Sequence, residues 1–199
     1  MKPFWEKTYA DLETKSFGEI SSEIADLIPL LPKNAEVLDM GCGDGRNTIP
    51  LLKAGFNVTA VDLSRAGISK LEKLAQKDNL KVKTVLSDMS LFIFPHKYDL
   101  IISQGCLHFL NRRDWKIVLS RFKSYTKTGG FNAITVFTDK VDAPPDLADI
   151  CVGLFKEKEL FTHYSDWEIL LKKSYIFHDE HAGGLKHTHA SDKLVVKKS

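Results

Sequence analysis

Residues 38–47, LDMGCGDGRN, place three glycines, two aspartates and an arginine directly behind a short apolar run. A glycine-rich bend between a strand and a helix lets backbone N–H groups approach a ligand, and the commonest ligands of such bends are nucleotides and nucleotide-like cofactors. Gly41, Gly43 and Gly45 form a GxGxG, whereas a dinucleotide fingerprint carries its third glycine one position later, where Arg46 stands. A bulky side chain there disfavours a pyrophosphate lying on the helix start. Further along, Asp62 stands where a carboxylate can accept both hydroxyls of a ribose. Asp88 can accept from the exocyclic amine of adenine, with Met89 beside it to pack on the ring. Ser103 and Gln104 add polar groups, and His108 a titratable imidazole. No lysine or Ser/Thr pair stands ready for a phosphate, so the ligand implied is an adenosine without phosphates.

These residues need elements that deliver them to one place. Residues 35–40 read as a buried strand feeding the glycine loop, 46–55 as a helix closed by Gly55, and 56–62 as a second strand. Pro50 fits that helix only within its first turn, where its missing N–H has no partner to lose. A helix with Ile68, Leu71 and Ala75 on its apolar face follows, then strands at 80–88 and 98–104. Residues 111–130 read as a helix with a cap-like Asn111, an apolar face of Trp115, Val118, Leu119 and Phe122, and a Gly-Gly stop. The fifth strand is 131–137. Alternation of strand and helix through residue 137 is the pattern of a doubly wound parallel sheet, in which ligands sit beyond the carboxyl ends of the strands. Upstream, Phe17, Ile20, Ile24, Leu27 and Leu31 have helical spacing, so 16–31 is expected to be an N-terminal helix. Trp5 and Tyr9 precede it and either close the sheet edge or fold over the cofactor.

Downstream the style changes. Residues 138–155, with Pro144 and Pro145 adjacent, read as a loop able to cover a site. A short helix in 156–164 leads to two strands, 167–178 and 187–198, joined by a turn at 181–186. One domain is expected: an N-terminal helical cap (1–35), a cofactor-binding core (36–137), and a lid loop with a C-terminal hairpin (138–199).

The stretches VLDMGCGDGRN, VTAVDLS, LSDM and YDLIISQGCLHFL resemble, in order, the cofactor motifs of class I methyltransferases. FKEKELFTHYSDWEI and the closing KLVVKKS are similar to the C-terminal part of the tellurite-resistance (TehB-like) methyltransferases. The resemblance implies an α/β, Rossmann-like class I methyltransferase fold: a seven-stranded, mostly parallel sheet with helices on both faces and a C-terminal antiparallel hairpin. It implies S-adenosyl-L-methionine as cofactor, held by Asp39, Gly41, Cys42, Gly43, Gly45, Arg46, Asp62, Leu63, Asp88, Met89, Ser103 and Gln104. Asp39 could hold loop N–H groups, meet the amino-acid end of the cofactor, or both. Cys42 and Cys106 read as small packing residues.

The implied reaction is methyl transfer to a small-molecule acceptor, with tellurite or selenite-type oxyanions, thiols and small amines all open. A non-catalytic cofactor-binding protein is the alternative from another class. His187 and His189, two apart, share one face of a strand, with His178 and His181 ahead of the turn. Either His108, His187 and His189 border the acceptor pocket and do its acid–base chemistry, or the hairpin is a solvated, histidine-rich one. No carboxylate or cysteine completes a metal-binding set at local spacing, so no metal is expected.

Composition narrows the partners. The chain of 199 residues has a formal net charge of +2, which suggests neither a nucleic-acid nor a membrane surface. Its first twenty residues interrupt every apolar run with charge, so neither a signal peptide nor a membrane span is expected, and a cytoplasmic monomer or homodimer is. Cys42, Cys106 and Cys151 are far apart with no CxxC pair, which points to reduced thiols.

Overall fold

A computed structural model describes residues 4–11, 18–145, 147–180 and 186–199. Seven strands form one sheet in the order β3-β2-β1-β4-β5-β7-β6: β1 Glu36–Met40, β2 Asn57–Asp62, β3 Lys83–Leu86, β4 Tyr98–Gln104, β5 Thr126–Phe137, β6 Glu168–Glu180 and β7 Lys186–Lys197. The first five run parallel. β7 is antiparallel to both β5 and β6, closing the sheet as a hairpin. The strand order reverses between β1 and β4, the place beyond the carboxyl ends where ligands of such sheets bind.

Side-chain alternation along the strands assigns each helix to a face. Leu38, Met40, Ile101, Ile134, Val136, Leu194 and Val196 pack with Trp115, Val118, Leu119 and Phe122 of helix α5 (Arg112–Tyr125) and with Leu160 and Phe161 of α6 (Glu159–His163). The intervening Val37, Val58, Leu100, Ile102, Ala133 and Val195 face α2 (Ser22–Ala25) and α3 (Thr48–Lys53) through Ile24, Leu51 and Leu52. Cys42 and Ala60 meet Ile68 and Leu71 of α4 (Arg65–Lys77). Every one of these central strands is covered twice, which explains their continuous apolar runs.

Three sequence expectations need correction. The helix over 16–31 shrinks to α2 and a 3-10 turn at Ile28–Leu30, because Pro29 lacks the N–H that an α-helix would direct at Ala25 and its ring would strike that carbonyl; Phe17 lies outside the described residues. A helix unforeseen at Phe4–Ala10, α1, packs on α4 instead. The α5 helix ends at Tyr125 and β5 begins at Thr126 rather than at 131. There the Thr126 hydroxyl donates to the Phe122 carbonyl at 2.7 Å, and Gly129 takes φ +78°, so the chain turns into the sheet before the Gly-Gly pair is passed.

The hairpin strands lie where the alternation placed them, while His181 and the rest of the turn at 181–185 fall outside the described residues. The described residues of the 138–155 segment form neither helix nor strand apart from a bridge between Thr138 and Phe155. They are nevertheless packed: Leu147, Cys151 and Phe155 are buried. Among the described residues no helix is long and apolar enough to cross a membrane.

Candidate functional site

The residues singled out from 39 to 108 reach the carboxyl edge of the sheet because each lies at or just beyond the end of a parallel strand, and His187 and His189 reach it because antiparallel β7 starts there beside the end of β5. The glycine loop leaves β1 and folds back on β2, with the N–H groups of Gly41 and Cys42 donating to the Val61 carbonyl at 2.8 and 3.1 Å. Gly41 and Gly43 have φ of +77° and +56°, a region that side chains rarely enter. A Cβ on Gly41 would meet the Cys106 Sγ at 2.5 Å, and one on Gly43 would meet the Tyr9 hydroxyl. The glycines therefore serve close approach as well as conformation.

Asp39 is buried at the end of β1, where its Oδ2 accepts the Thr48 hydroxyl at 2.6 Å. Burial pushes its carboxyl up to about 6, against the Thr48 hydrogen bond and the Arg46 charge, which pull it down. Asp62 at the end of β2 accepts the Gly43 N–H on Oδ2 and the Ser64 N–H on Oδ1, both at 2.7 Å. Burial raises this carboxyl too, opposed by the Ser64, Gly43 and Leu63 N–H groups. Leu63 beside it is 71% exposed, an apolar side chain left in water. After β3, Asp88 Oδ1 caps its own turn through the N–H and hydroxyl of Ser90 at 2.7 and 2.6 Å. The Met89 methyl lies 4.0 Å from where a Cβ on Gly41 would stand.

At the end of β4, Ser103 is buried with its hydroxyl 3.1 Å from Cys106 Sγ, and that thiol donates to the Met40 carbonyl at 3.2 Å. Burial lifts the Cys106 thiol to about 12, and Cys42, also buried, is raised as well, so both are packing thiols rather than nucleophiles. The Gln104 amide is engaged at both ends by β5, donating to Ala133 O at 3.2 Å and accepting the Thr135 hydroxyl at 2.8 Å. It holds the strand end in register.

The histidines gather on the same edge. His108 is wholly buried in a 3-10 turn, Leu107–Phe109, with its ring 4.1 Å from that of Phe137 and nearly parallel to it. His189 stacks on Phe137 at 4.4 Å, and the His187 ring lies 5.8 Å from that of His189. Both hairpin histidines are buried, so the solvated-hairpin reading fails for them; His178 is exposed and pairs with Thr188. No cluster of metal-ligating side chains occurs among the described residues.

Of the two readings left open for Trp5 and Tyr9, the structure brings Tyr9 over the glycine loop; what escaped the sequence are the helix that carries them and a buried ion pair. Helix α1 roofs the glycine loop, with Tyr9 buried against Gly43 and Gly67 and Trp5 against Phe109 at 5.0 Å. Gly67 was the available signal: a glycine in the first turn of a helix costs stability unless something packs there, and a Cβ on it would lie 2.9 Å from the Gly43 carbonyl. The ion pair, Asp44 to Lys70 at 2.9 Å, pins the loop to α4. Lys70 occupies a position that helical spacing leaves on no apolar stripe.

The chain matches the family model described as "Tellurite resistance protein TehB" over residues 2–197. It is similar to a probable S-adenosyl-L-methionine-dependent methyltransferase, TehB, of Haemophilus influenzae, with 33% identity over 151 residues, which is 76% of this chain and 52% of that protein. It is also 32% identical over 135 residues to Hemagglutinin 1 of Eikenella corrodens, covering 68% of this chain and 44% of that one. The chain spans about half the length of the curated relatives it matches. Among solved structures, TehB from Haemophilus influenzae superposes with a TM-score of 0.80 at 28% identity, covering 90% of this chain and 63% of that one. Magnesium protoporphyrin IX methyltransferase from Synechocystis PCC 6803, solved with bound SAM, gives 0.65 at 20% identity, covering 98% and 80%, and shares the fold.

Proposed function

The chain belongs to the TehB family of tellurite-resistance proteins, and from that premise we propose that it is an S-adenosylmethionine-dependent methyltransferase acting on a small-molecule acceptor, an oxyanion of the tellurite or selenite type or a thiol. The observation that carries the reading is the convergence, on one carboxyl edge, of a glycine cradle with no room for side chains, a buried and a half-buried carboxylate, and a separate aromatic-histidine cluster. The cradle and the carboxylates fit the cofactor. A buried carboxyl with its affinity for protons raised, such as Asp39, is matched by a positively charged ammonium, and Asp62 keeps lone pairs on both oxygens for vicinal hydroxyls.

When bound, S-adenosylmethionine supplies a sulfonium-linked methyl group whose carbon passes to an acceptor lone pair while the C–S bonding electrons stay on sulfur. Asp39 would hold the ammonium end and the glycine loop the adjoining backbone of the ligand. Asp62 would accept from the ribose hydroxyls and Asp88 from the adenine amine, with Leu63 and Met89 packing on the ring. Cys42, Gly45 and Arg46 shape the loop, and Ser103 and Gln104 fix the end of β4. Alignment of acceptor and methyl group with water excluded can lower such a barrier by as much as ~7–11 kcal/mol without a metal. His187 and His189 wall the acceptor side.

The test is a transfer assay with methyl-labelled cofactor over selenite, tellurite, a small thiol and a small amine. The reading expects label in at least one oxyanion or thiol product, with stoichiometric S-adenosylhomocysteine. Tight cofactor binding without turnover on any of them would make the protein a binding module instead.

A further inference from the structure

We propose that His108 selects the methyl acceptor by donating its Nε2–H to an oxygen lone pair of that molecule, and so acts as a neutral binding group rather than a base. The proposal deepens the methyltransferase reading and rests on it. Four observations lead there.

The first is the tautomer. The backbone N–H of Phe137 donates to His108 Nδ1 at 3.2 Å, so Nδ1 must carry the lone pair. In a neutral imidazole the proton then sits on Nε2, which can only donate. A general base would need its lone pair facing the substrate, and here it is already taken.

The second is that Nε2 is buried without a hydrogen-bond partner among the described residues. Leaving a buried N–H unsatisfied is costly, and such groups in native proteins call for an explanation. A ligand oxygen supplies one.

The third is rigidity. The ring stacks on Phe137 at 4.1 Å and meets the tilted ring of Phe109 at 4.4 Å, while the His108 carbonyl accepts the Gly153 N–H at 3.0 Å. The imidazole cannot turn to satisfy Nε2 elsewhere without losing the Phe137 bond.

The fourth is place. His108 stands just beyond β4, two residues from Cys106, whose thiol touches the glycine loop, and Phe109 next to it meets Trp5 of the roof. The donor thus belongs to the edge where the cofactor's reactive end would lie.

Protonation does not alter this. Burial, and then the neighbouring His189, push the His108 imidazole down to about 3, and His189 of β7 is the titratable group that acts on it. An imidazolium would also set a second N–H against that of Phe137. A fixed N–H donor favours an oxyanion, carboxylate or carbonyl oxygen and disfavours ammonium-bearing acceptors, because a site built to donate is left unpaired by a ligand without a lone pair.

The experiment is 15N–1H NMR of the uniformly labelled full chain with S-adenosylhomocysteine present, with the His108 signals assigned by their loss in His108→Phe. The expected result is a neutral ring protonated on Nε2 from pH 5 to 8, whose Nε2–H proton shifts downfield on titration with selenite. In parallel, His108→Phe, which keeps an aromatic ring, should weaken selenite binding roughly 10-fold to 100-fold, with S-adenosylhomocysteine affinity unchanged. His108→Gln, which restores an N–H near the Nε2 position, should recover part of the loss. A ring protonated on Nδ1, an imidazolium within that pH range, an Nε2–H unmoved by selenite, or equal selenite affinity in the Phe variant would each overturn the proposal. If His108→Phe does not fold, the wild-type tautomer and titration decide alone. Failure of the methyltransferase reading would look different: no S-adenosylhomocysteine binding in wild-type protein.

Discussion

On the β1–β2 side of the carboxyl edge the polar groups are already bonded to one another: Asp39 to Thr48, Asp62 to the Gly43 and Ser64 N–H groups, Asp44 to Lys70. On the β4–β5–β7 side the buried His108 imidazole keeps an N–H without a partner among the described residues, and the surroundings are stacked rings, His108, Phe137 and His189. The first region holds its charges in place before any ligand arrives, through the Thr48 hydroxyl, the Gly43 and Ser64 N–H groups and the Lys70 ammonium. The second takes its shape from side chains distant in sequence that meet only when the sheet has formed. A site for a constant cofactor can be written in a short loop, whereas a site for a particular acceptor is assembled by packing, and it can change through single residues without disturbing the first.

If that division is right, the largest effect belongs to the loop. Gly43→Val should abolish S-adenosylmethionine binding, because the new side chain meets Tyr9 and the residue must hold a positive φ. Gly55→Ala is the informative control: its φ is also positive, at +86°, but nothing lies within 4 Å. It should lower the melting temperature and leave cofactor affinity intact. Equal binding by both variants would break the cradle.

Next comes Asp39. Its folded pKa of about 6 lies above its ordinary value of 3.8, so this carboxyl contributes stability at low pH that is lost as pH rises through about 6. Asp39→Asn should therefore gain about 2 kcal/mol of stability at pH 7 and little at pH 4, by denaturant titration. Cofactor affinity should tighten in wild type between pH 5 and 7, as the ionised carboxylate meets the ammonium, and stay flat in the variant. The same flat profile in wild type would remove Asp39 from the ammonium role.

On the other side, His189→Ala should lower turnover roughly 10-fold by unstacking Phe137 from its second imidazole, with S-adenosylmethionine affinity unchanged within error. A matched loss of cofactor affinity would mean the two regions are one. The smallest effect is at Leu63, exposed in the free protein. Leu63→Ser should leave stability unaltered and weaken cofactor binding by about 1 kcal/mol if the leucine is covered only when adenine arrives.

The same division explains what could be read from the sequence. Strand, glycine loop and acidic strand end recur at fixed local spacing, so Gly41, Gly43, Asp62 and the alternation of strand and helix through residue 137 followed from pattern. The sheet's two apolar faces, alternating as Val37 against Leu38 and Leu100 against Ile101, made the doubly covered core legible as well. The roof α1 was not legible, because its seven residues gain their helix from packing on α4 rather than from periodicity. Lys70 was not, because a lysine in a helix reads as solvated until its buried partner is known. The role of His108 depends on which ring nitrogen the Phe137 N–H engages, 29 residues away, and no spacing carries that. Cys106 was legible as a packing residue, though not as the side chain that fills the space a Gly41 Cβ would need.

The most direct test of the cofactor cleft is calorimetric titration of S-adenosylmethionine into the wild-type chain and into Asp62→Ala. Saturable one-to-one binding in wild type, weakened by about 1–3 kcal/mol in the variant through loss of the ribose acceptor, is the expected result, with both proteins equally folded by circular dichroism. Wild-type affinity in Asp62→Ala, or no saturable heat from a folded wild-type protein, would contradict it.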